Sequence, residues 1–174
     1  RPVLPLASAN IHEKVIYIGS FTKLIAPTFR VGYVVASPEI IEELGKIRRI
    51  IDRQGDTLLE ACLADLLEDG TLRRHVTKAL KEYRERRDFT CDLFEKELGE
   101  KVSFEKPQGG MAIWMKFSKK YPLEILSEKA NKKGLYLPNG SAYKPLNDCR
   151  IGLASMHLSE IEESITILKK IMLD

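Results

Sequence analysis

The chain has 174 residues, with 28 Lys and Arg against 25 Asp and Glu, a formal net charge of +3. That length supports one sizeable core, or one domain with part of another. The charge is too small to point to nucleic acid, and no apolar run approaches the roughly 20 residues that cross a bilayer. Cys62, Cys91 and Cys149 are scattered without CxxC spacing, which argues against a zinc site or a disulfide framework and suits a reducing cytoplasm.

The opening segment carries no basic-then-apolar leader, so secretion is not expected. It begins at Arg1-Pro2 rather than Met, which fits either tag removal or a piece of a longer polypeptide. Val15–Ile18 and Val31–Ala36 are β-branched and continuous, as buried strands are. Ser37-Pro38 reads as the N-cap and first residue of a helix over about 39–52, with Ile40, Ile41, Leu44, Ile47, Ile50 and Ile51 at helical spacing. Gly55 breaks it, and a second helix over about 57–67 ends at Asp69-Gly70.

A long charged helix, about Thr71–Leu98, carries Leu72, Val76, Leu80 and Tyr83 on one stripe and ends at Gly99. A helix of that length is expected to bridge two domains. Arg73, Arg74, Lys78, Lys81, Arg84, Arg86 and Arg87 make it basic, but Glu82, Glu85 and Asp88 interrupt the run, as on a solvated face.

Beyond it the pattern is that of a compact α+β unit. Val102–Phe104 and Met111–Phe117 read as strands around the Pro107-Gln108-Gly109-Gly110 turn, with Trp114 expected in the core. Pro122–Lys133 is helical and capped by Gly134. Leu135–Leu137 reads as a short strand, Pro138-Asn139-Gly140 as a turn, and Cys149–Leu153 as a further strand. Ser159 to Glu162 reads as the capping box of a last helix. His12, His75 and His157 carry no catalytic expectation, and His157 falls beside that cap.

The chemistry concentrates in Ser20-Phe21-Thr22-Lys23, which follows the first strand, and in Arg30, seven residues after the lysine. Burial among Phe21, Leu24, Ile25 and Phe29 would favour the deprotonated, nucleophilic amine. Such lysines form Schiff bases with carbonyl compounds, pyridoxal phosphate among them. Ser20 and Thr22 offer hydroxyls to a phosphate, and Arg30 offers a planar fork for phosphate oxygens.

This segment resembles the lysine signature of fold-type-I pyridoxal-phosphate enzymes, the class I/II aminotransferase superfamily. Tyr17-Ile-Gly-Ser-Phe-Thr-Lys23 with Ala26-Pro-Thr-Phe-Arg-Val-Gly-Tyr33 is most similar to the aminotransferase-like domain of MocR-type regulators in the GntR group. Arg1-Pro2, Gly70-Thr-Leu-Arg-Arg-His75, Tyr83-Arg-Glu-Arg-Arg87 and Pro107-Gln-Gly-Gly-Met-Ala-Ile-Trp114 fit that subgroup too. The resemblance implies a Schiff base on Lys23, a phosphate held by Ser20 and Arg30 with Thr22 in support, and a substrate carboxylate gripped by Arg150. It makes Asn139 a weaker substrate-side candidate. It also implies a small amino acid or amine as partner, and a homodimer.

Two groups that the resemblance calls for are missing. They are an aspartate for the pyridine nitrogen and a Gly/Ser loop at a helix N-terminus. In the family both precede the lysine, and here only 22 residues do. The expected fold is therefore the C-terminal half of a pyridoxal-phosphate transferase. Residues 1–70 would be a remnant of the large α/β domain, 71–98 the interdomain helix, and 99–174 the complete α+β small domain. Any DNA-binding domain would lie upstream. Three functions stay open: the effector-sensing part of a MocR/GntR regulator, a free-standing aminotransferase, and an interaction domain in which the lysine is idle. The chain by itself is expected to be inactive and to bind the cofactor weakly.

Overall fold

The computed structural model describes residues 4–9, 14–143 and 146–173; Arg1-Pro2 and His12 lie outside them. The chain forms two compact units, Arg1–Lys78 and Ala79–Asp174.

In the first unit, β1 (Tyr17–Ser20) and β2 (Gly32–Val35) pair antiparallel, from Tyr17 opposite Val35 to Ser20 opposite Gly32. The Tyr33 ring lies over Gly19, where a Cβ would collide with it. Tyr33 also packs on Tyr17 and Phe21, with ring centroids 5.9 and 5.2 Å away. Aromatic packing across a glycine thus sets the hairpin. α1 (Pro38–Ile51) starts after Ser37 with proline in its first turn. α2 (Thr57–Glu68) is capped by Asp56, whose Oδ1 accepts the Leu59 N–H at 3.0 Å.

The strands expected to be buried are not. Every residue of β2 is exposed, Ile18 is 75% exposed, and no residue of α1 is buried. The cause is local. A two-stranded sheet has no inner strand, and no layer among the described residues of this unit covers the apolar face of the hairpin or of α1.

α3 (Thr71–Leu98) follows Gly70, whose φ of +73° suits glycine, and the boundary between the units falls within it. In the second unit, β3 (Val102–Phe104), β4 (Ala112–Phe117) and β5 (Asp148–Gly152) form an antiparallel sheet in that order, with α4 (Leu123–Asn131) and α5 (Leu158–Ile171). Alternation turns Ile113, Met115 and Phe117 inward with Cys149, onto Cys91, Phe94 and Leu98 of α3 and Ile161, Ile165 and Leu168 of α5. Ile113 and Met115 are fully buried, each worth about 1.5–3 kcal/mol in apolar area removed from water.

Three local expectations are corrected here. Trp114 lies on the outer face of β4, 38% exposed, because its neighbours Ile113 and Met115 take the inner one. Leu135–Leu137 forms no strand; the Leu137 carbonyl accepts instead from the buried Ser127 hydroxyl at 2.6 Å. The last helix begins two residues earlier than its sequence suggests. His157 is its N-cap, and the Glu160 carboxylate accepts the His157 N–H at 2.6 Å.

Candidate functional site

The lysine sits in the turn that leaves β1. The N–H groups of Leu24 and Ile25 donate to the Phe21 carbonyl at 2.9 and 3.0 Å, so Phe21–Ile25 winds as one helical turn carrying Lys23. The Phe21 N–H donates to the Val31 carbonyl at 3.0 Å, extending the hairpin past its last ladder pair. The Thr22 hydroxyl donates to the Phe29 carbonyl at 2.6 Å, tying the lysine turn to the residue before Arg30.

Ser20 Oγ accepts the Thr22 N–H at 3.2 Å. Its own hydroxyl proton stays available for an outside acceptor. Lys23 and Arg30 are both exposed, and neither makes a hydrogen bond or ion pair among the described residues. The expected burial of Lys23 among Phe21, Leu24, Ile25 and Phe29 is thus corrected. Leu24 is 42% exposed, and the outer side of the turn carries no covering residue among those described. The Tyr17 hydroxyl beside Tyr33 raises the pKa of the latter.

One hydroxyl donor, one guanidinium and one amine, all without a competing acidic partner, therefore lie on a single strapped loop. That donor set fits an aldehyde that also bears a phosphate: the amine for the carbonyl, the guanidinium and hydroxyl for the phosphate oxygens.

Arg150 belongs to the second unit. It is exposed on β5 without a partner among the described residues, directly opposite Trp114 on β4. With Tyr136, Pro138 and Gly152 it lines a cavity of about 690 Å³. Asn139 follows Pro138, and its Oδ1 accepts the Ser141 N–H at 3.0 Å, so it serves first as a turn residue. Gly140 has φ +71°, and a Cβ there would come within 2.8 Å of Leu123 Cδ2 and 3.1 Å of the Asp148 carbonyl. Glycine is required at that point for both shape and space.

Two groups near Arg150 in sequence engage Trp114, and neither stands out by residue type. Asp148 is buried and accepts the Trp114 indole N–H at 3.1 Å, while Tyr143 meets Trp114 edge to face at 4.6 Å. Strand alternation was the available signal for Trp114. Asn147 is a hub. Its amide donates to the carbonyls of Phe117, Ser118 and Tyr121, and its oxygen accepts the Leu123 N–H that opens α4.

The charged motif on α3 holds loops in place. Arg86 donates to the Ala154 carbonyl just past β5, and Arg87 donates to the Pro107 carbonyl at 3.2 Å. Lys106 and Arg87 together hold the Asp88 carboxyl below its ordinary pKa. Cys149 is buried against the sheet, and burial pushes its thiol up to about 12.

Among the described residues no helix is long and apolar enough to cross a membrane. The family model for class I and II aminotransferases matches residues 2–168. The aromatic-amino-acid aminotransferase 1 of Thermococcus litoralis is 31% identical over 143 residues, covering 82% of this chain and 34% of that protein. The HTH-type transcriptional regulator YdfD of Bacillus subtilis is 28% identical over 166 residues, covering 94% of this chain and 34% of its own length. The crystal structure of a multiple substrate aminotransferase from Thermococcus profundus superposes with a TM-score of 0.90 at 28% identity, over 99% of this chain and 44% of that one. The chain thus spans about a third of the length of these curated relatives. It has the mixed helix-and-sheet build of a partial aminotransferase fold, in keeping with a C-terminal piece. With a family match over nearly all of its residues, the chain belongs to the class I and II aminotransferases, as the aminotransferase-like domain that MocR-type HTH regulators also carry.

Proposed function

We propose that the chain is a pyridoxal-phosphate-binding aminotransferase-like module, with Lys23 as the amine that forms the Schiff base. The observation that carries this reading is the strapped loop, in which Lys23, Arg30 and the Ser20 hydroxyl proton are all unengaged while Thr22 is committed to Phe29. When bound, pyridoxal phosphate supplies an aldehyde and a ring that takes up electrons.

The chain's own residues have distinct tasks. Ser20 would donate to a phosphate oxygen and Arg30 would neutralise the phosphate charge. Thr22 keeps the two ends of the loop in register. The Lys23 amine would hold the cofactor, and as a free amine it would be placed to carry a proton to or from a substrate carbon. Arg150 offers a two-pronged grip to the carboxylate of an amino acid, with Asn139 nearby in sequence to the cavity wall.

Between regulator and enzyme, the regulator reading is favoured. The similarity to YdfD runs through 94% of the chain, and the chain carries the subgroup motifs on α3 and around Pro107. The whole protein would then sense an amino acid or amine in the cytoplasm as a homodimer, with DNA contacted by a domain preceding this module. The alternative is an amino acid:2-oxo acid aminotransferase. Three free thiols suit a reducing compartment in either case.

The chain spans about a third of these relatives, and in our reading the aspartate and the Gly/Ser loop expected for the cofactor would come from a part of the whole protein that precedes Lys23. This chain alone would bind the cofactor weakly and not turn over. Titration of the whole protein with pyridoxal phosphate, wild type against Lys23→Ala, tests the reading. A visible absorbance band that builds in wild type and is lost in the variant supports it, and identical titrations refute it. Reading the parent frame upstream of Arg1 separates regulator from enzyme, because a winged-helix segment there favours the regulator.

A further inference from the structure

One face of the first unit's hairpin is built around a glycine. Tyr17 and Gly19 share a side of β1, and Tyr33 lies directly opposite Gly19 on β2. A Cβ on Gly19 would collide with the Tyr33 ring, and the φ of Gly19 is not left-handed, so this glycine serves close approach rather than a turn. The Tyr33 ring fills that notch and spans it. The Tyr17 ring is 5.9 Å away and the Phe21 ring 5.2 Å away, centroid to centroid. The hydroxyls of Tyr17 and Tyr33 are hydrogen-bonded, which fixes the outer end of the Tyr33 ring. Phe21 in turn is where the lysine turn starts. Its carbonyl accepts the N–H groups of Leu24 and Ile25 at 2.9 and 3.0 Å, and its own N–H donates to the Val31 carbonyl at 3.0 Å. The backbone of the turn and the ring braced by Tyr33 therefore belong to the same residue.

We propose that Tyr33 is a positioning residue for Lys23: seated in the Gly19 notch, its ring braces Phe21 and so fixes the direction in which the turn presents the amine. This inference rests on the reading of Lys23 as the cofactor-holding amine. The loop then has two separate supports. The Thr22 hydroxyl ties the turn to Phe29, next to Arg30, whereas Tyr33 steadies the residue from which the turn departs. An aromatic ring suits the task because it is rigid and wide, and aromatic pairs hold preferred tilts at these separations. Tyr33 acts through Phe21 and needs no contact with the ligand. Its influence falls on the aldehyde end of the cofactor, where the amine reacts, and not on the phosphate.

The test uses the whole protein and two ligands, pyridoxal 5′-phosphate and pyridoxine 5′-phosphate, which carries an alcohol in place of the aldehyde. The ratio of their affinities reads the amine alone, since ring and phosphate are common to both. Titrations are run on wild type, Tyr33→Phe, Tyr33→Leu, Gly19→Ala and Lys23→Ala, with melting temperature recorded for each. Tyr33→Leu removes the ring, and Gly19→Ala pushes it out of its notch without removing it. Each is expected to lower the preference for the aldehyde about three- to tenfold, while Tyr33→Phe, which keeps the ring, stays within about twofold of wild type. Should Tyr33→Leu fail to fold, Gly19→Ala carries the test. A wild-type preference in the folded variants overturns the proposal. So does an equal weakening of both ligands that tracks melting temperature, since Tyr33 would then be structural. A loss in Tyr33→Phe equal to that in Tyr33→Leu overturns the role of the ring. Lys23→Ala separates the two levels of inference. If it keeps the wild-type preference, the reading of Lys23 itself is refuted. If it alone loses the preference, that reading stands and the assignment of Tyr33 falls.

Discussion

The Thr22 hydroxyl donates to the Phe29 carbonyl across 2.6 Å. This one bond joins the residue before Lys23 to the residue before Arg30, and fixes how far apart the amine and the guanidinium can stray. A hydrogen bond of this kind contributes about 1 kcal/mol net. Thr22→Val removes it while preserving shape and β-branching. Pyridoxal-phosphate affinity of the whole protein should fall about three- to tenfold in Thr22→Val and stay near wild type in Thr22→Ser. Unchanged affinity in the valine variant would show that the strap has no part in presenting the loop.

Asn147 organises the second unit through four hydrogen bonds from one side chain. Truncation to alanine leaves the Leu123 N–H and three carbonyls to find other partners in a half-buried loop. The expected cost is roughly 2–3 kcal/mol, as for a polar cluster stripped of its central group. A denaturant titration of Asn147→Ala reads this directly. A midpoint equal to that of wild type would mean that water replaces the amide without loss.

Thiol labelling follows burial. Cys62 is exposed, whereas Cys91 and Cys149 are 1% and 0% exposed. Burial also raises the pKa of both inner thiols, and that of Cys149 reaches about 12, so neither forms thiolate near neutral pH. Iodoacetamide should modify Cys62 alone in the native protein, and all three cysteines after unfolding, as counted by intact mass. Native labelling of Cys149 would contradict the packing of β5.

α3 and α5 are linked by Glu97 and Lys169, with Nζ donating to Oε2 at 2.7 Å. The Lys169 ammonium holds the Glu97 carboxyl below its ordinary pKa. A carboxyl with a lowered folded pKa adds stability above its unfolded pKa and loses it as pH falls through the folded one. Glu97→Gln should therefore be less stable than wild type near neutral pH, and the gap should close under acid. The pair is solvent-accessible, so the effect is small and weakens with salt. A gap that widened on acidification would have the wrong sign for this linkage.

The helices and the sheet of the second unit were legible because their signals are local. Gly99 stops α3, and Ile113, Met115 and Phe117 take every second position of β4. The same alternation places Trp114 outside, although a tryptophan by type suggests core. Leu135–Leu137 looked like a strand because three apolar residues follow Gly134. Ladder pairing is non-local, however, and Leu137 spends its carbonyl on Ser127. Ser20, Lys23 and Arg30 were legible as candidates through the resemblance of their motif to the family signature. The strap by Thr22 was not, since a hydroxyl's partner seven residues away depends on how the loop closes. The burial of Val31–Ala36 was inferred from composition alone, which reports what a segment can cover but not whether a layer lies over it.

The most direct test is borohydride reduction of the whole protein in the presence of pyridoxal phosphate, followed by peptide mass spectrometry. A pyridoxyl-phosphate mass increment on the peptide bearing Lys23, absent in Lys23→Ala, is the predicted result. An unmodified Lys23 peptide, or an increment scattered equally over surface lysines, would contradict the assignment of Lys23 as the cofactor-holding amine.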